Sequence, residues 1–151
     1  MGFKKVGIIG LGTMGSNIAI LCAKAGLHTL ITDENEENMN TGFQNIENFL
    51  SAGVTKSKLS TSQKKSIQSF IQKVTTIQEL NDCDIIIEAI GEDQKNKNKL
   101  FKNLNSIVKE ETIFASNTST LSISNMGLHS GRPDRIIGTH FWLFINWKTI
   151  I

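Results

Sequence analysis

Residues 6–15 read Val6-Gly7-Ile8-Ile9-Gly10-Leu11-Gly12-Thr13-Met14-Gly15, and Asp33 follows eighteen residues later. An apolar strand pattern runs directly into three glycines spaced G-x-G-x-x-G. A helix pattern opens at once, with Ile18, Ala19, Leu21, Cys22 and Ala25. A second apolar run, Leu27 to Thr32, then ends in the acid. In this order the parts form a dinucleotide-binding fingerprint. Gly10 permits the tight turn out of the strand. Gly12, lacking a Cβ, lets the backbone approach a pyrophosphate, and Gly15 lets the helix pack closely on the strand. The free N–H groups at the helix N-terminus face the phosphates. The turn Gly10, Leu11, Gly12, Thr13, Met14, Gly15 is therefore assigned to the cofactor. Asp33 would accept hydrogen bonds from the adenosine ribose hydroxyls and repel a 2′-phosphate, which favours NAD over NADP. A helix–strand contact that merely needs small residues would leave Asp33 unexplained.

Outward from this stretch, apolar runs alternate with helical periodicity. Strands are expected at Lys4–Ile9, His28–Thr32, Val74–Thr75, Asp84–Ile90, Ile113–Ser116 and Arg135–His140. Helices are expected at Met14–Ala25, from Asn35 to Gly53, at Ser62–Phe70 and at Gln94–Val108, with a short helical turn at Ile123–Met126. The continuous apolar run Ile85-Ile86-Ile87 marks a strand covered on both faces. The fold class is α/β, a doubly wound parallel sheet of the Rossmann type. In such sheets ligands sit at the carboxyl ends of the strands. Gly12, Asp33, Gly91-Glu92, Asn117-Thr118-Ser119 and His140 all fall at such ends, so topology alone gathers them into one site.

The length of 151 residues suits a single domain, and a net charge of +2 is too small to argue for nucleic acid. Lys95, Lys97 and Lys99 read as a solvated helix face. Cys22 and Cys83 match no metal or redox spacing and read as small apolar residues, and no metal is expected. No run of eighteen apolar residues and no leader pattern is present in this sequence. A soluble cytoplasmic protein without membrane partners is the expectation.

Four segments resemble the NAD-binding domain of the L-3-hydroxyacyl-CoA dehydrogenase family. They are Gly10–Gly15, Ile87-Glu88-Ala89-Ile90-Gly91-Glu92-Asp93, Ile113–Leu121 with its Ser116-Asn117-Thr118-Ser119, and Arg132–Trp142 with its Gly138-Thr139-His140-Phe141. The likeness covers residues 3–142. It implies that His140 is the general base that takes the hydroxyl proton as hydride leaves C3 of a 3-hydroxyacyl-CoA for NAD. A histidine suits that task because its pKa lies near working pH. The resemblance further implies that Ser119 hydrogen-bonds the 3-oxygen, with Asn117 beside the same carbonyl or the nicotinamide ribose. Glu92 and Lys97 resemble positions near the cofactor's ribose or phosphates. Read from the residues alone, His140 could close a strand end. Ser119 and Asn117 could cap the helix that follows, Glu92 could be a first-turn acid, and Lys97 could be surface.

The pattern changes after Trp142. The family continues with a proline-containing turn and a Leu-Val-Glu whose glutamate orients the histidine, whereas this chain reads Leu143-Phe144-Ile145-Asn146-Trp147-Lys148-Thr149-Ile150-Ile151. The expected division is a domain at 1–142 and a divergent apolar tail at 143–151, with the family's second, helical domain absent. A frameshifted truncation, a split protein and a natural short form are the three explanations. The implied substrate is a small acyl-CoA, in fatty acid or butanoate metabolism. The implied partner is a complementary helical domain or a second copy. Two alternatives stand beside this. One is an NAD-binding module without turnover. The other is a dehydrogenase of the carnitine or gulonate type.

Overall fold

The computed structural model describes residues 2–141. The stretch 143–151 and the expectations attached to it lie outside the described residues. Six parallel strands form one sheet in the order β3-β2-β1-β4-β5-β6. They are β1 (Lys5–Ile9), β2 (His28–Thr32), β3 (Ile71–Lys73), β4 (Ile85–Glu88), β5 (Ile113–Ser116) and β6 (Ile136–Gly138). The helices are α1 (Thr13–Lys24), α2 (Glu36–Thr55), α3 (Thr61–Ser69), α4 (Gln94–Asn105) and α5 (Ile123–Ser130). β1 pairs with both β2 and β4, so the strand order reverses there. Ligands of doubly wound sheets bind at that reversal.

Alternation along each strand builds two cores. Ile8, Ile31, Ile85, Ile87 and Ala115 face one way, against Ile18 and Ala19 of α1, Ile46 and Leu50 of α2, and Ile67 of α3. Ile9, Leu30, Ile86 and Phe114 face the other way, against Phe101 and Leu104 of α4 and Met126 of α5. Side chains two apart share a face. An apolar run without alternation is therefore what a sheet covered on both sides requires. Cys83 is fully buried and Cys22 half-buried. Burial pushes Cys22 up to about 11 and Cys83 up to about 12, so both thiols stay neutral and pack as small apolar groups.

Several boundaries differ from the sequence expectation, each for a physical reason. Helix α2 does not end at Gly53 but runs to Thr55. Gly53 is buried, and its carbonyl accepts the Lys58 amide that closes the helix. Ser57 takes the left-handed conformation there at φ 55°, the place usually filled by glycine. The third strand is Ile71–Lys73 rather than Val74–Thr75, because Thr29–Ile31 pair with those three residues. Val74 still donates to Ile31, and its side chain is buried in the second core. β4 stops at Glu88 because the Ile90 amide turns back to the Glu88 carboxylate. α4 ends at Asn105, short of Val108, and α5 extends to Ser130, where Gly131 caps it at φ 80°.

At the opposite end of the sheet, Asp84 ties β1 to β4. Its carboxylate accepts the Lys4 amide at 2.7 Å, the Lys5 amide at 2.9 Å and the Lys109 ammonium at 2.7 Å. The Lys109 hydrogen bond, followed by those two amides, lowers the Asp84 carboxyl from 3.8 to about 2. A carboxyl depressed in the folded state contributes stability that is complete above its unfolded value and lost as the pH falls through the folded one. Urea denaturation of the wild type is expected to lose stability between about pH 4 and pH 2. Asp84→Asn should be less stable at pH 7 and show a shallower decline over that range. Parallel acid limbs would rule the tie out.

Candidate functional site

The turn out of β1 contains two kinds of glycine. Gly10 lies at φ 94° with its own Cβ position 2.7 Å from the Ala89 backbone. A Cβ on Gly15 would stand 1.7 Å from the Gly10 carbonyl oxygen. Both are demanded by the protein itself. Gly12 is different, since it is exposed, has ordinary dihedral angles, and a Cβ there would meet nothing within 4 Å. Its open side is the cradle that a pyrophosphate would fill. Gly12 is also the N-cap of α1 and offers no side-chain acceptor, while its carbonyl already takes the Ser16 amide. The amides of Thr13, Met14 and Gly15 are the first three of the helix, which have no intrahelical acceptor, and they stand at its positive end.

Asp33 closes β2 beside this turn. One carboxylate oxygen accepts the Leu11 amide at 2.8 Å, and the other accepts the Asn35 amide at 2.9 Å. The Leu11 amide is thereby committed to Asp33 and is not one of the donors facing the cradle. The first oxygen retains a second lone pair for a ribose hydroxyl, whereas the other also accepts the Asn38 side-chain amide at 3.4 Å. A cleft of about 690 Å³ opens here, floored by Ile9 and Thr32 and walled by Asp33, Ile77, Ile90 and Leu100. Ile9, Ile77, Ile90 and Leu100 give it an apolar surface, and the acids Asp33, Glu34, Glu92 and Asp93 line it as well, a mixture that suits the base and ribose of a nucleoside. The residues present fit a dinucleotide.

On the other side of β4 the structure gathers Glu92, Thr118, Ser119 and Thr120. One Glu92 oxygen accepts the Thr118 hydroxyl, the Ser119 amide at 3.2 Å and the Thr120 hydroxyl at 3.2 Å. Its second oxygen lies 3.4 Å from the Lys97 ammonium. Burial pulls the Glu92 carboxyl upward. The Thr118 hydroxyl, the Lys97 charge and the Ser119 amide outweigh it and hold the carboxyl below its ordinary value. Glu92 is not the capping acid of α4. Asp93 is, accepting the Asn96 amide at 2.8 Å. Nor do Asn117 and Ser119 cap α5, since Ser122 does.

Asn117 and His140 come together at the ends of β5 and β6. The Asn117 side-chain oxygen accepts the Phe141 amide at 3.0 Å, and the Thr139 amide reaches the Ser116 carbonyl at 2.9 Å. These two bonds bracket His140 and set its backbone, while its ring is exposed. The structure thus gives Asn117 a holding contact on the histidine's segment.

Lys97 departs most from expectation. It is neither a solvated helix face nor a group reaching the cleft. Its side chain is fully buried and pairs with Glu88 at 2.6 Å, and Glu88 is also fully buried. A signal was present in the sequence. Lys97 shares the buried stripe of α4 with Phe101 and Leu104, and a lysine there requires a buried acid, which the apolar run Ile85–Ile90 carries as Glu88. Thr118, which topology gathers into the site without a role, acquires one. Its hydroxyl donates to Glu92 and accepts the Leu121 amide at 2.9 Å, an arrangement visible only once β5 stands beside α4.

A doubly wound sheet with a glycine cradle, a carboxylate closing β2 and a polar cluster at the ends of β4 and β5 defines a dinucleotide-binding domain of the dehydrogenase type. Residues 5–146 match the family model described as 3-hydroxyacyl-CoA dehydrogenase, NAD binding domain. The chain belongs to that family. Among its relatives, a probable 3-hydroxybutyryl-CoA dehydrogenase of Deinococcus radiodurans is 42% identical over 137 residues, which span 91% of this chain and 49% of the relative. The crystal structure of the (S)-3-hydroxybutyryl-CoA dehydrogenase of Ralstonia eutropha superposes with a TM-score of 0.89 at 37% identity, over 93% of this chain and 50% of that one. The 3-hydroxybutyryl-CoA dehydrogenase of Escherichia coli K12 gives 0.91 at 31% identity, over 95% of this chain and 30% of that one. The chain spans about half the length of the curated relatives it matches. Among the described residues, no helix is long and apolar enough to cross a membrane.

The two kinds of glycine separate stability from binding. Gly15→Ala should destabilise the fold by about 3 kcal/mol through overpacking, read by thermal unfolding. Gly12→Val should cost no more than about 1 kcal/mol, the loss of a good N-cap residue, while weakening NADH binding at least about tenfold, read by fluorescence titration. Equal effects of the two on stability would show that Gly12 serves packing.

Proposed function

We propose that this chain binds NAD at the Gly10–Gly15 turn and Asp33, and that it carries the hydride-transfer half of a 3-hydroxyacyl-CoA dehydrogenase site. The observation that carries the cofactor part is the open side of Gly12, which no contact within the protein explains. NAD, when bound, supplies the hydride acceptor at its nicotinamide. The chain's own residues do the rest. His140, exposed at the end of β6, takes the proton of the 3-hydroxyl while the C3 hydrogen departs with its electron pair, leaving a 3-ketone. Ser119 donates its hydroxyl to the 3-oxygen and polarises it. Asn117 holds the His140 segment through the Phe141 amide. Asp33 takes the adenosine ribose and excludes a 2′-phosphate by charge. Glu92 stands between the two halves of the site and meets the cofactor's ribose. The substrate class is a short 3-hydroxyacyl-CoA, and the setting is cytoplasmic fatty acid or butanoate metabolism. Residues 1–142 are the functional unit in this reading.

The test is oxidation of NADH by acetoacetyl-CoA. His140→Gln should lower the rate by about 10²- to 10⁴-fold, the usual contribution of a positioned base, with NADH affinity unchanged. A variant as active as wild type removes His140 from the chemistry.

A second reading rests on the nucleotide half alone, where the open side of Gly12 and the Asp33 carboxylate are the built features. In it the domain binds NADH without turnover. NADH binding that Asp33→Ala weakens by about 10- to 100-fold, with no oxidation by acetoacetyl-CoA, would support it. In either reading Asp33→Ala should also narrow the preference for NADH over NADPH.

A further inference from the structure

Beneath the site, at the carboxyl end of β4, lies a charged cluster that contact with a cofactor does not explain. Glu88 and Lys97 are both fully buried. One Glu88 oxygen accepts the Lys97 ammonium at 2.6 Å and the Ile90 amide at 2.7 Å, and the other accepts the Ser116 hydroxyl at 2.5 Å. The ammonium also donates to the Ile90 carbonyl at 3.3 Å and lies 3.4 Å from Glu92. An ammonium has three protons, and here each has an acceptor. Lys97 therefore has one geometry, fixed from below by Glu88, from which it faces Glu92.

Glu92 is the outer member of the chain. Its side chain is 40% exposed, so nothing but its partners holds it. Lys97 grips one oxygen, and the turn 118–120 surrounds the other with two hydroxyls and an amide. Ser119 is the middle residue of that turn. A continuous path thus runs from the Ser116 hydroxyl through Glu88, Lys97 and Glu92 to the residue that presents Ser119.

We propose that Glu88 is a positioning residue: by locking Lys97 it holds Glu92 against the turn 118–120, and so sets where Ser119 stands. Taking the Glu88 charge away leaves Glu92 as the sole counter-ion of Lys97. The ammonium then draws Glu92 inward and off the turn. The turn loses its central acceptor while the sheet beneath stays tied, because the carbonyl oxygen of a glutamine at position 88 still accepts the Ile90 amide and its NH2 donates to the Ser116 hydroxyl, which turns to accept. The significance for function rests on the NAD reading above, whereas the geometric claim does not.

The experiment is a double-mutant cycle on the full chain with Glu88→Gln, Glu92→Ala and both together, read in two ways. The first is the amide spectrum of the unliganded, ¹⁵N-labelled protein. Glu88→Gln should shift the Ser119 and Thr120 resonances, and in the Glu92→Ala background it should not move them further. The second is NADH titration. Glu88→Gln should weaken binding at least about fivefold in the wild-type background and leave it unchanged in the Glu92→Ala background. A residue that merely supports the sheet would act equally in both backgrounds, and that result overturns the proposal. So does a Ser119 amide that stays in place in Glu88→Gln. Should Glu88→Gln not fold, Glu88→Asp keeps the charge but withdraws the carboxylate from Lys97 by one methylene, which loosens the same grip. It is read in the same cycle with the same expected coupling and the same overturning result. Failure of the wild type to bind NADH would overturn the NAD reading while the amide spectra still decide the role of Glu88.

Discussion

The buried ion pair between Glu88 and Lys97 is the interaction around which the rest is arranged. It sits where β4 ends, next to β1 at the reversal of strand order and next to β5 through Ser116. A buried pair is a poor source of net stability, because desolvating two ions offsets most of their attraction. Breaking one is another matter, costing about 3–5 kcal/mol, since the survivor is left uncompensated. What such a pair confers is geometry. Glu88 ends β4, turns the Ile90 amide back on itself, and anchors α4 from inside through Lys97. The loop carrying Glu92 leaves the sheet in a defined direction because both of its ends are held.

Around that centre the site divides in two. On one side of β4 lie the glycine turn, Asp33 and the cleft beside them, arranged to receive a nucleotide. On the other lie the turn 118–120 and the segment through His140, which offer a hydroxyl and an imidazole. Glu92 stands between them and bonds to the second. The division follows from the doubly wound topology. Chain leaving β1 and β2 covers one half of the sheet's carboxyl edge, and chain leaving β5 and β6 covers the other.

Much of this was legible along the chain. The glycine spacing, the apolar runs and the acid after β2 each report local constraints, and local constraints are written in adjacent residues. The central strands could be placed because burial on both faces needs an unbroken apolar run. The edges were harder to place. β3 carries exposed Gln72 and Lys73, so its three residues lack a strand pattern, and the buried Val74 beyond them drew the assignment forward. Edge strands are short and polar by necessity. The end of α2 was misplaced for a related reason. Gly53 marks a stop when read locally, yet it is buried inside the helix, and the left-handed cap falls to Ser57.

By itself the sequence determined the fold class, the strand ends at which the polar residues collect, and the order in which the chain visits them. Each of these depends on periodicity and turn chemistry over a few residues. The tertiary structure alone decided the partners. Lys97 became an interior residue because Glu88, nine positions away, lies beneath it once α4 packs on β4. Glu92 left helix capping to Asp93 because β5 brings three donors to it from residues 26–28 positions along the chain. Asn117 came to hold the His140 segment because β6 lies beside β5. Charges and hydrogen bonds are satisfied by proximity in space, and no period in the sequence records which distant group will be near.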